Sequence, residues 1–481
     1  MTGKLRAIPE ASMNDHGFRR SLGLFSSTML IAGSMIGSGV FIVGADIVRT
    51  GHTGGFLLAA WALTAVMTVF AALSYGELAG MYPKAGGQYT YLREIYGPAI
   101  GFLYGWTFFA VIECGTIAAV AVGFGKYLGT FWPAVSEARW LAGPLHVNAL
   151  HLGSIVVGPY NLGLTTARLS GIAIVLLLSF VNAYGVKLGA LVQNAFTVTK
   201  IGSLAALILL GLLLKPAIAA NPAPFTPLDG ATTLPFLTAL LVVQTGSLFS
   251  ADAWNSVTFI AGEVKEPKRT IPLSLLIGTS LVCGLYILAN FIYLKVLGPT
   301  GIATATNDRV GSVALQALFG PKGEMAMAAA ILISMFGCTN GLVLSGARVY
   351  HTMAEHGLFL KSAARLNGHG VPAFSLGIQA LWTCLLTMTG SYGQLLDYVI
   401  FAALLFYVLT VGGVILMRVR HPELERPVKV PLYPVLPILY LIGALAIMGA
   451  LLIHKPAFTW PGLFIVLLGL PIYGLAKPKN A

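Results

Sequence analysis

The sequence predicts an all-α membrane protein of about twelve transmembrane helices, two of them, the first and the sixth, broken at mid-membrane. Three observations carry that expectation. Of 481 residues, 57% are hydrophobic and 10% charged, with a mean hydropathy of +0.82, so the chain cannot turn a polar surface to water on all sides. Apolar runs recur along its whole length, most of them near the roughly 20 residues of helix that cross a bilayer. Two of those runs carry polar or glycine-rich inserts at their middles.

Taken in order, the apolar runs fall at residues 22–48, 55–81, 98–128, 169–185, 190–214 and 234–262, then at 271–298, 325–356, 373–390, 393–417, 432–453 and 458–475. A polar segment, 1–21, precedes them and a short tail, 476–481, follows. Residues 82–97, YPKAGGQYTYLREIYG, form either a short helix lying at the membrane interface or an ordinary loop. The longest non-apolar stretch is 129–168. Threading twelve spans in sequence puts 19 of the 29 Lys and Arg residues on the face of the termini, 9 on the other face and one, Lys200, inside a span. Basic residues favour the cytoplasmic side, so both termini are expected there, in a multi-pass protein of the cell membrane.

Composition also excludes classes. The net charge of +12 is spread between apolar runs and not gathered on one folded domain, which argues against a nucleic-acid partner. No cleavable signal peptide is apparent, and the first span itself is expected to direct insertion. Cys114, Cys283, Cys338 and Cys384 all lie in apolar runs and read as packing residues. No phosphate-cradling loop, H-E-x-x-H or paired-cysteine motif occurs, so no cofactor, metal or enzymatic role is expected.

The first run contains GSMIGSGVF, residues 33–41. In hydrocarbon a helix breaks only where its freed amides and carbonyls meet protein, water or ligand. Gly37, Ser38 and Gly39 supply such a break, because glycine accepts the dihedrals and lets a ligand approach the backbone. Gly33-x-x-x-Gly37 fits a small-residue packing face equally well. The sixth run shifts the balance, because SLFSADAWN places Asp252 near mid-bilayer, where a carboxylate is costly. Spans 1 and 6 run in opposite directions, and paired interruptions at corresponding places point to an inverted repeat, 22–214 (helices 1–5) against 234–417 (helices 6–10), with 432–475 (helices 11 and 12) appended. They also point to a secondary transporter with a midplane site. Half-helix amides would face an anion and half-helix carbonyls a cation, and a zwitterionic amino acid carries both.

At these residues the chain resembles the amino acid-polyamine-organocation (APC) superfamily. GSMIGSGVF is similar to its helix-1 signature, and LFSADAWNSVTFIAGEVKEPKRTIP to its helix-6 segment. YPKAGGQYTYL, SGARVYHTMAEHGLFLKSAARLNGHGVPAFSL and RPVKVPLYPVLPILYLIGALA extend the match over most of the chain, nearest the bacterial L-type and cationic amino acid transporter branches. The resemblance implies a LeuT-like 5+5 fold and alternating access. It implies a substrate carboxylate on the amides of Ser38 and Gly39, with the Ser38 hydroxyl in reach, and an ammonium on the carbonyls of Met35, Phe249, Ser250 and Asp252. Phe249 matches the aromatic gate, and Gly37, Gly39 and Ala253 mark the breaks. Ala251 and Ala253 depart from the pattern, which has an aromatic at the first place and glycine at the second. Lys200 matches a lysine standing where sodium sits in sodium-coupled relatives, which implies sodium independence.

Lys200 lies roughly 15 Å of helix from either end of its span, too deep to reach water easily, and needs carbonyl or carboxylate partners whether it is structural or carries a proton. Glu113, in VIECGTIAAV, is costly unless protonated or paired, and is read as a structural hydrogen-bonding group or a coupling residue. Trp254, Asn340 and Tyr407 are possible cavity-lining residues. The expected cargo is a neutral L-amino acid, moved by exchange or with protons. A cationic amino acid or polyamine carrier of the same fold is the alternative, and a channel or transporter-like sensor the rival from another class. Heteromeric relatives join a single-span glycoprotein through a cysteine in the loop after helix 3, and residues 129–168 contain none, so no disulfide-linked heavy subunit is expected.

Overall fold

The computed structural model describes residues 20–51, 53–148, 150–152, 155–157, 160–214, 234–389 and 392–476. The expected terminal segments therefore lie largely outside the described residues. Among the described residues, eight helices are long and apolar enough to cross a membrane singly. They supply spans 2 (Gly54–Met81), 3 (Pro98–Leu128), 4 (Thr166–Ala183), 5 (Val186–Leu213), 7 (Pro267–Ala303), 8 (Pro321–Glu355), 10 (Tyr392–Arg420) and 11 (Val435–His454). Span 9 is the shorter helix Ala373–Thr387, and span 12 runs Pro456–Ala476 with two internal prolines. Spans 1 and 6 are broken, as expected.

Local chemistry sets several of the ends. Thr53 caps span 2 by accepting the Phe56 amide at 3.0 Å, and Thr165 caps span 4 through the Arg168 amide at 3.2 Å. Gly298, at φ 67°, kinks span 7 just before Pro299, in a conformation that glycine takes without a Cβ penalty. Residues 88–96 settle the choice left open by the sequence, forming the short helix Gln88–Tyr96 with Gln88, Tyr89, Tyr91 and Leu92 buried.

Two elements lay outside the sequence reading. Residues 140–165 contain a hairpin, Trp140–Val147 paired antiparallel with Tyr160–Thr165. Arg168 ties it to the end of span 9 by donating to the carbonyls of Gly163 (2.7 Å) and Met388 (2.8 Å), and its guanidinium lies over the Trp140 ring. The connector between spans 7 and 8 holds a helix, Val310–Phe319.

Span 3 is the most enclosed of the long spans, with 83% of its most apolar window buried. The breaks face one another beside it. The first half of span 1 packs on the second half of span 6, and the first half of span 6 packs on the turn that follows the break in span 1, as antiparallel helices must. At the face where span 1 begins, called here the terminal face, Ser21 and Leu22 donate to the Glu263 carbonyl at 2.9 and 3.0 Å, and the Lys265 amide returns a bond to Leu22. Glu263 also takes the Arg348 Nε at 3.0 Å in a buried ion pair.

A second buried carboxylate secures the same face. Glu77, near the end of span 2, accepts Arg418 Nε at 2.8 Å, Arg418 Nη2 at 2.5 Å and the Val430 amide at 2.8 Å, with Arg426 Nε 3.4 Å away. It staples the loop between spans 10 and 11 onto span 2. Removing one member of such a buried cluster strands the others, so Glu77→Ala is expected to cost about 3–5 kcal/mol, with Glu77→Gln falling between it and the native chain. The thermal unfolding midpoint of detergent-solubilised protein checks this, and an unchanged midpoint in Glu77→Ala would remove the staple from the account.

Candidate substrate site

The first helical stretch of span 1 is Leu24–Met35. The backbone then leaves helical geometry at Ile36 (ψ 88°), tightens into a single 3₁₀ turn, Gly39–Phe41, and resumes as helix Gly44–Gly51. The Phe41 amide closes the 3₁₀ turn onto the Ser38 carbonyl at 3.0 Å, so the amides of Gly39 and Val40 precede its first bond.

The carbonyls freed before the break are gathered by side chains from neighbouring spans. Lys200 Nζ donates to Gly33 (2.6 Å) and Ile36 (2.8 Å) and to the Ser334 carbonyl of span 8 (3.0 Å). Three donors meet three acceptors, the full capacity of an ammonium. The Ser334 hydroxyl adds a bond to Ile36, and Cys338 Sγ donates to Ser34. Gly337 makes room for the lysine, since a Cβ there would stand 3.3 Å from Nζ. The packing reading of Gly33 holds together with the break, because a Cβ on Gly33 would strike Gln193 and Thr197 of span 5.

Span 6 runs as Phe236–Val242 and Gln244–Ser250, unwinds over residues 251–255, and continues as Ser256–Phe259. Ala253 sits in the unwound stretch at φ 65°, in the left-handed region. Gly39 backs directly onto Ser250, whose hydroxyl a Cβ on Gly39 would hit, so the two breaks touch. Tyr286 of span 7, which the sequence reading missed, bridges them. Its hydroxyl lies 2.9 Å from the Met35 carbonyl and 3.0 Å from that of Ser250, with one proton to donate between them. A tyrosine in an apolar run carried no signal that could have singled it out.

Further residues gather on the other side of the span 6 break. Asp252 accepts the Tyr407 hydroxyl at 2.5 Å. Both line a narrow cavity with Gln88, Tyr104, Glu113, Thr116, Asn255 and Ser256. Gln88 was also missed, and it joins Asn255 (3.2 Å) to Thr410 (3.1 Å). Trp254 packs edge-on against Tyr75, with ring centroids 4.7 Å apart, and lines a second narrow space beside Asp252. Phe249 is buried immediately before the break.

One expectation needs correction. Asn340 does not line the cavity beside Asp252. It is fully buried between spans 4, 5 and 8, donating to Gly189 (3.1 Å) and Gln193 (3.0 Å) and accepting from Asn182 (2.9 Å). The polar seam between the helices meets three of the four hydrogen-bonding positions of this buried amide.

Two antiparallel spans broken side by side inside a twelve-helix bundle define a secondary transporter. Comparison with known proteins gives the family: an amino acid permease model matches residues 22–474, and the chain belongs to that family, as the motif resemblance implied. It is 30% identical to the serine/threonine exchanger SteT of Bacillus subtilis strain 168 over 97% of this chain and 99% of that one. It is also 30% identical to the human b(0,+)-type amino acid transporter 1, over 96% of this chain and 88% of that one. The human large neutral amino acids transporter small subunit 2 shares 30% identity over 99% of this chain and 85% of its own length.

The left-handed backbone at Ala253 costs a non-glycine residue roughly 1–2 kcal/mol, and a β-branched side chain there costs more. Ala253→Gly is therefore expected to fold with a thermal midpoint no lower than the native chain, and Ala253→Val with a clearly lower one. If Ala253→Val matched the native midpoint, the backbone at 253 would not be left-handed in solution.

Proposed function

We propose that this chain is a sodium-independent exchanger of neutral L-amino acids in the cell membrane, with both termini cytoplasmic and helices 1–5 and 6–10 forming the two inverted halves. The observation that carries the reading is the contact of the two breaks at Gly39 and Ser250, where the start of one half-helix meets the end of another. The amides of Ser38 and Gly39 receive the substrate carboxylate, with the Ser38 hydroxyl beside them. The carbonyls of Met35, Phe249, Ser250 and Asp252 receive the ammonium, sharing their lone pairs with Tyr286 and backbone donors. Phe249 closes over the ligand, and Gly37, Gly39 and Ala253 let the halves flex.

Sodium independence is supported by the Lys200 ammonium, which occupies the carbonyl cage at the break where a metal cation would need the same oxygens. Neutral cargo is supported by relatives named for serine, threonine and large neutral amino acids. A cationic cargo has one observation in its favour, because Asp252 faces a cavity with no Lys or Arg among its lining residues. No disulfide-linked heavy subunit is expected, since the loop after span 3 contains no cysteine and Cys114, Cys283 and Cys338 are buried.

A thermal-shift screen against the common L-amino acids tests the cargo, because a ligand held at 100 times its Kd adds about 2.7 kcal/mol to the folded state. Neutral amino acids should raise the midpoint, and a rise confined to lysine and arginine would move the assignment to cationic cargo. Gly39→Val should leave membrane insertion intact and abolish the shift, since the new side chain drives into Ser250 and covers the carboxylate position. A retained shift would exclude these amides as the carboxylate site.

A further inference from the structure

A groove of about 480 Å³ opens on the flank of the bundle between spans 4 and 9, with no lining residue from the broken spans 1 and 6. Its volume lies in the range of small-ligand pockets, roughly 300–1,000 Å³. It runs from Ile172 to Ala183 on span 4 and from Ala373 to Cys384 on span 9. Each of these stretches rises about 16 Å as helix, which is the depth of one leaflet in a hydrocarbon core about 30 Å thick. Both reach the terminal face, where span 4 ends and span 9 begins.

Small side chains hollow the groove and large ones wall it. Leu376 and Ala380 are buried at its floor, while Leu176, Phe180 and Leu381 stand more than half exposed along its rims. Gly377 leaves it open, since a Cβ there would meet no atom within 4 Å. One lining group is polar. Ser179 is 8% exposed, and its hydroxyl has no hydrogen-bond partner among the described residues, although the carbonyl one turn back is the common acceptor for a helical serine. A buried donor left unpaired is costly, and in an apolar groove the missing acceptor must come with the occupant. Ser179 lies one turn, about 6 Å, inside the end of span 4 at Ala183, the depth at which an acyl chain of that leaflet joins its ester.

The mouth of the groove is basic. The segment before span 9 abuts the end of span 4, with Asn367 Nδ2 donating to the Ala183 carbonyl at 2.8 Å and the His369 ring 5.9 Å from that of Tyr184. Lys361, Arg365 and His369 are exposed along this segment. Residues 166–214 and 356–387 contain no Asp or Glu, so neither wall of the groove nor the segment at its mouth supplies a carboxylate to these cations. Glu355, at the end of span 8, lies 3.5 Å from His351. Tyr184 is half exposed and has the amphipathic ring that settles at headgroup level.

We propose that this groove binds one chain of an anionic phospholipid drawn from the leaflet at the terminal face. The chain lies along spans 4 and 9, its ester carbonyl accepts the Ser179 hydroxyl after a χ1 rotation, and its phosphate is held by Arg365 and His369. The site stands whatever the cargo of the transporter.

Native mass spectrometry of the full chain in detergent tests this with phosphatidylglycerol and phosphatidylcholine of matched chains. Phosphatidylglycerol should bind as a single copy and roughly fivefold more tightly, the worth of one cation at an anionic headgroup. Gly377→Leu fills the groove without striking the protein, and should lose both lipids while keeping the native unfolding midpoint in lipid-free detergent. Arg365→Gln combined with His369→Gln, both exposed, should keep the lipid and lose the preference. Equal binding of the two lipids by the native chain overturns the proposal, as does lipid held at native occupancy in Gly377→Leu. Should Gly377→Leu fail to fold, the double variant decides, and a preference that survives it overturns the proposal. A lipid-free species of twice the chain mass that Gly377→Leu dissociates also overturns it, and puts a second copy in the groove.

Discussion

Inside hydrocarbon a backbone carbonyl without a donor costs several kcal/mol, and the break in span 1 frees a run of them at once. Everything packed around residues 33–37 answers that constraint. Lys200 comes from span 5, Ser334 and Cys338 from span 8 and Tyr286 from span 7, and each ends on a carbonyl of the broken turn. The lysine is the extreme case, because a buried ammonium is itself expensive. Its desolvation is offset only because the break presents acceptors that no intact helix would leave vacant, so the charge and the broken helix each make the other tolerable.

The same reasoning divides the bundle mechanically. The first half of span 1 is sewn to the second half of span 6 by the backbone bonds of Ser21, Leu22 and Lys265 at the terminal face, so a displacement of one must carry the other. On the opposite face, Arg49 ties the end of span 1 to Asp308 (2.8 Å) and the Ala303 carbonyl (3.0 Å), and Arg309 reaches Thr130 and the Lys126 carbonyl at the end of span 3. The connector helix between spans 7 and 8 is thus clamped across the end of the bundle. The Arg49–Asp308 tie is half-exposed and weak, since a surface ion pair is worth about 0–1 kcal/mol. The buried Glu77 and Glu263 clusters on the terminal face are stronger.

Much of this was legible in residue order. The span count follows from run length, and the two breaks follow from GSMIGSGVF and SLFSADAWN, because clustered glycines and a carboxylate weaken an apolar span that gains nothing from them while it stays wound. Lys200 and Glu113 were visible for the same reason. Tyr286 and Gln88 were not, since a lone polar tip on a helical face looks identical whether it meets a carbonyl across the bundle or its own turn. Asn340 was misplaced because sequence shows that a buried amide needs partners without showing which helix supplies them. The hairpin at 140–165 was passed over because a non-apolar segment between spans reads as connector. Its short stretches become strands only through cross-strand pairing and the Arg168 tether.

The two breaks are not equivalent, and the difference bears on how such a bundle moves. In span 1 the freed carbonyls are held by an ammonium, two hydroxyls and a thiol from three other spans, so the geometry there is over-determined and resists bending. In span 6 the unwound stretch has the Tyr407 bond to the Asp252 side chain, the Asn255 bond to Gln88, the Trp254 contact with Tyr75 and the shared Tyr286 proton at its edge, and a left-handed alanine sits at its centre. A strained residue with few external ties is the point where a small change in neighbouring contacts produces the largest change in backbone direction. A ligand at the proposed site by Gly39 and Ser250 would change contacts on both sides of the junction, and of the two breaks the one at residues 251–255 has fewer side-chain donors on its carbonyls. Because the first half of span 1 is tied to the second half of span 6 at the terminal face, a bend at residues 251–255 would carry both together.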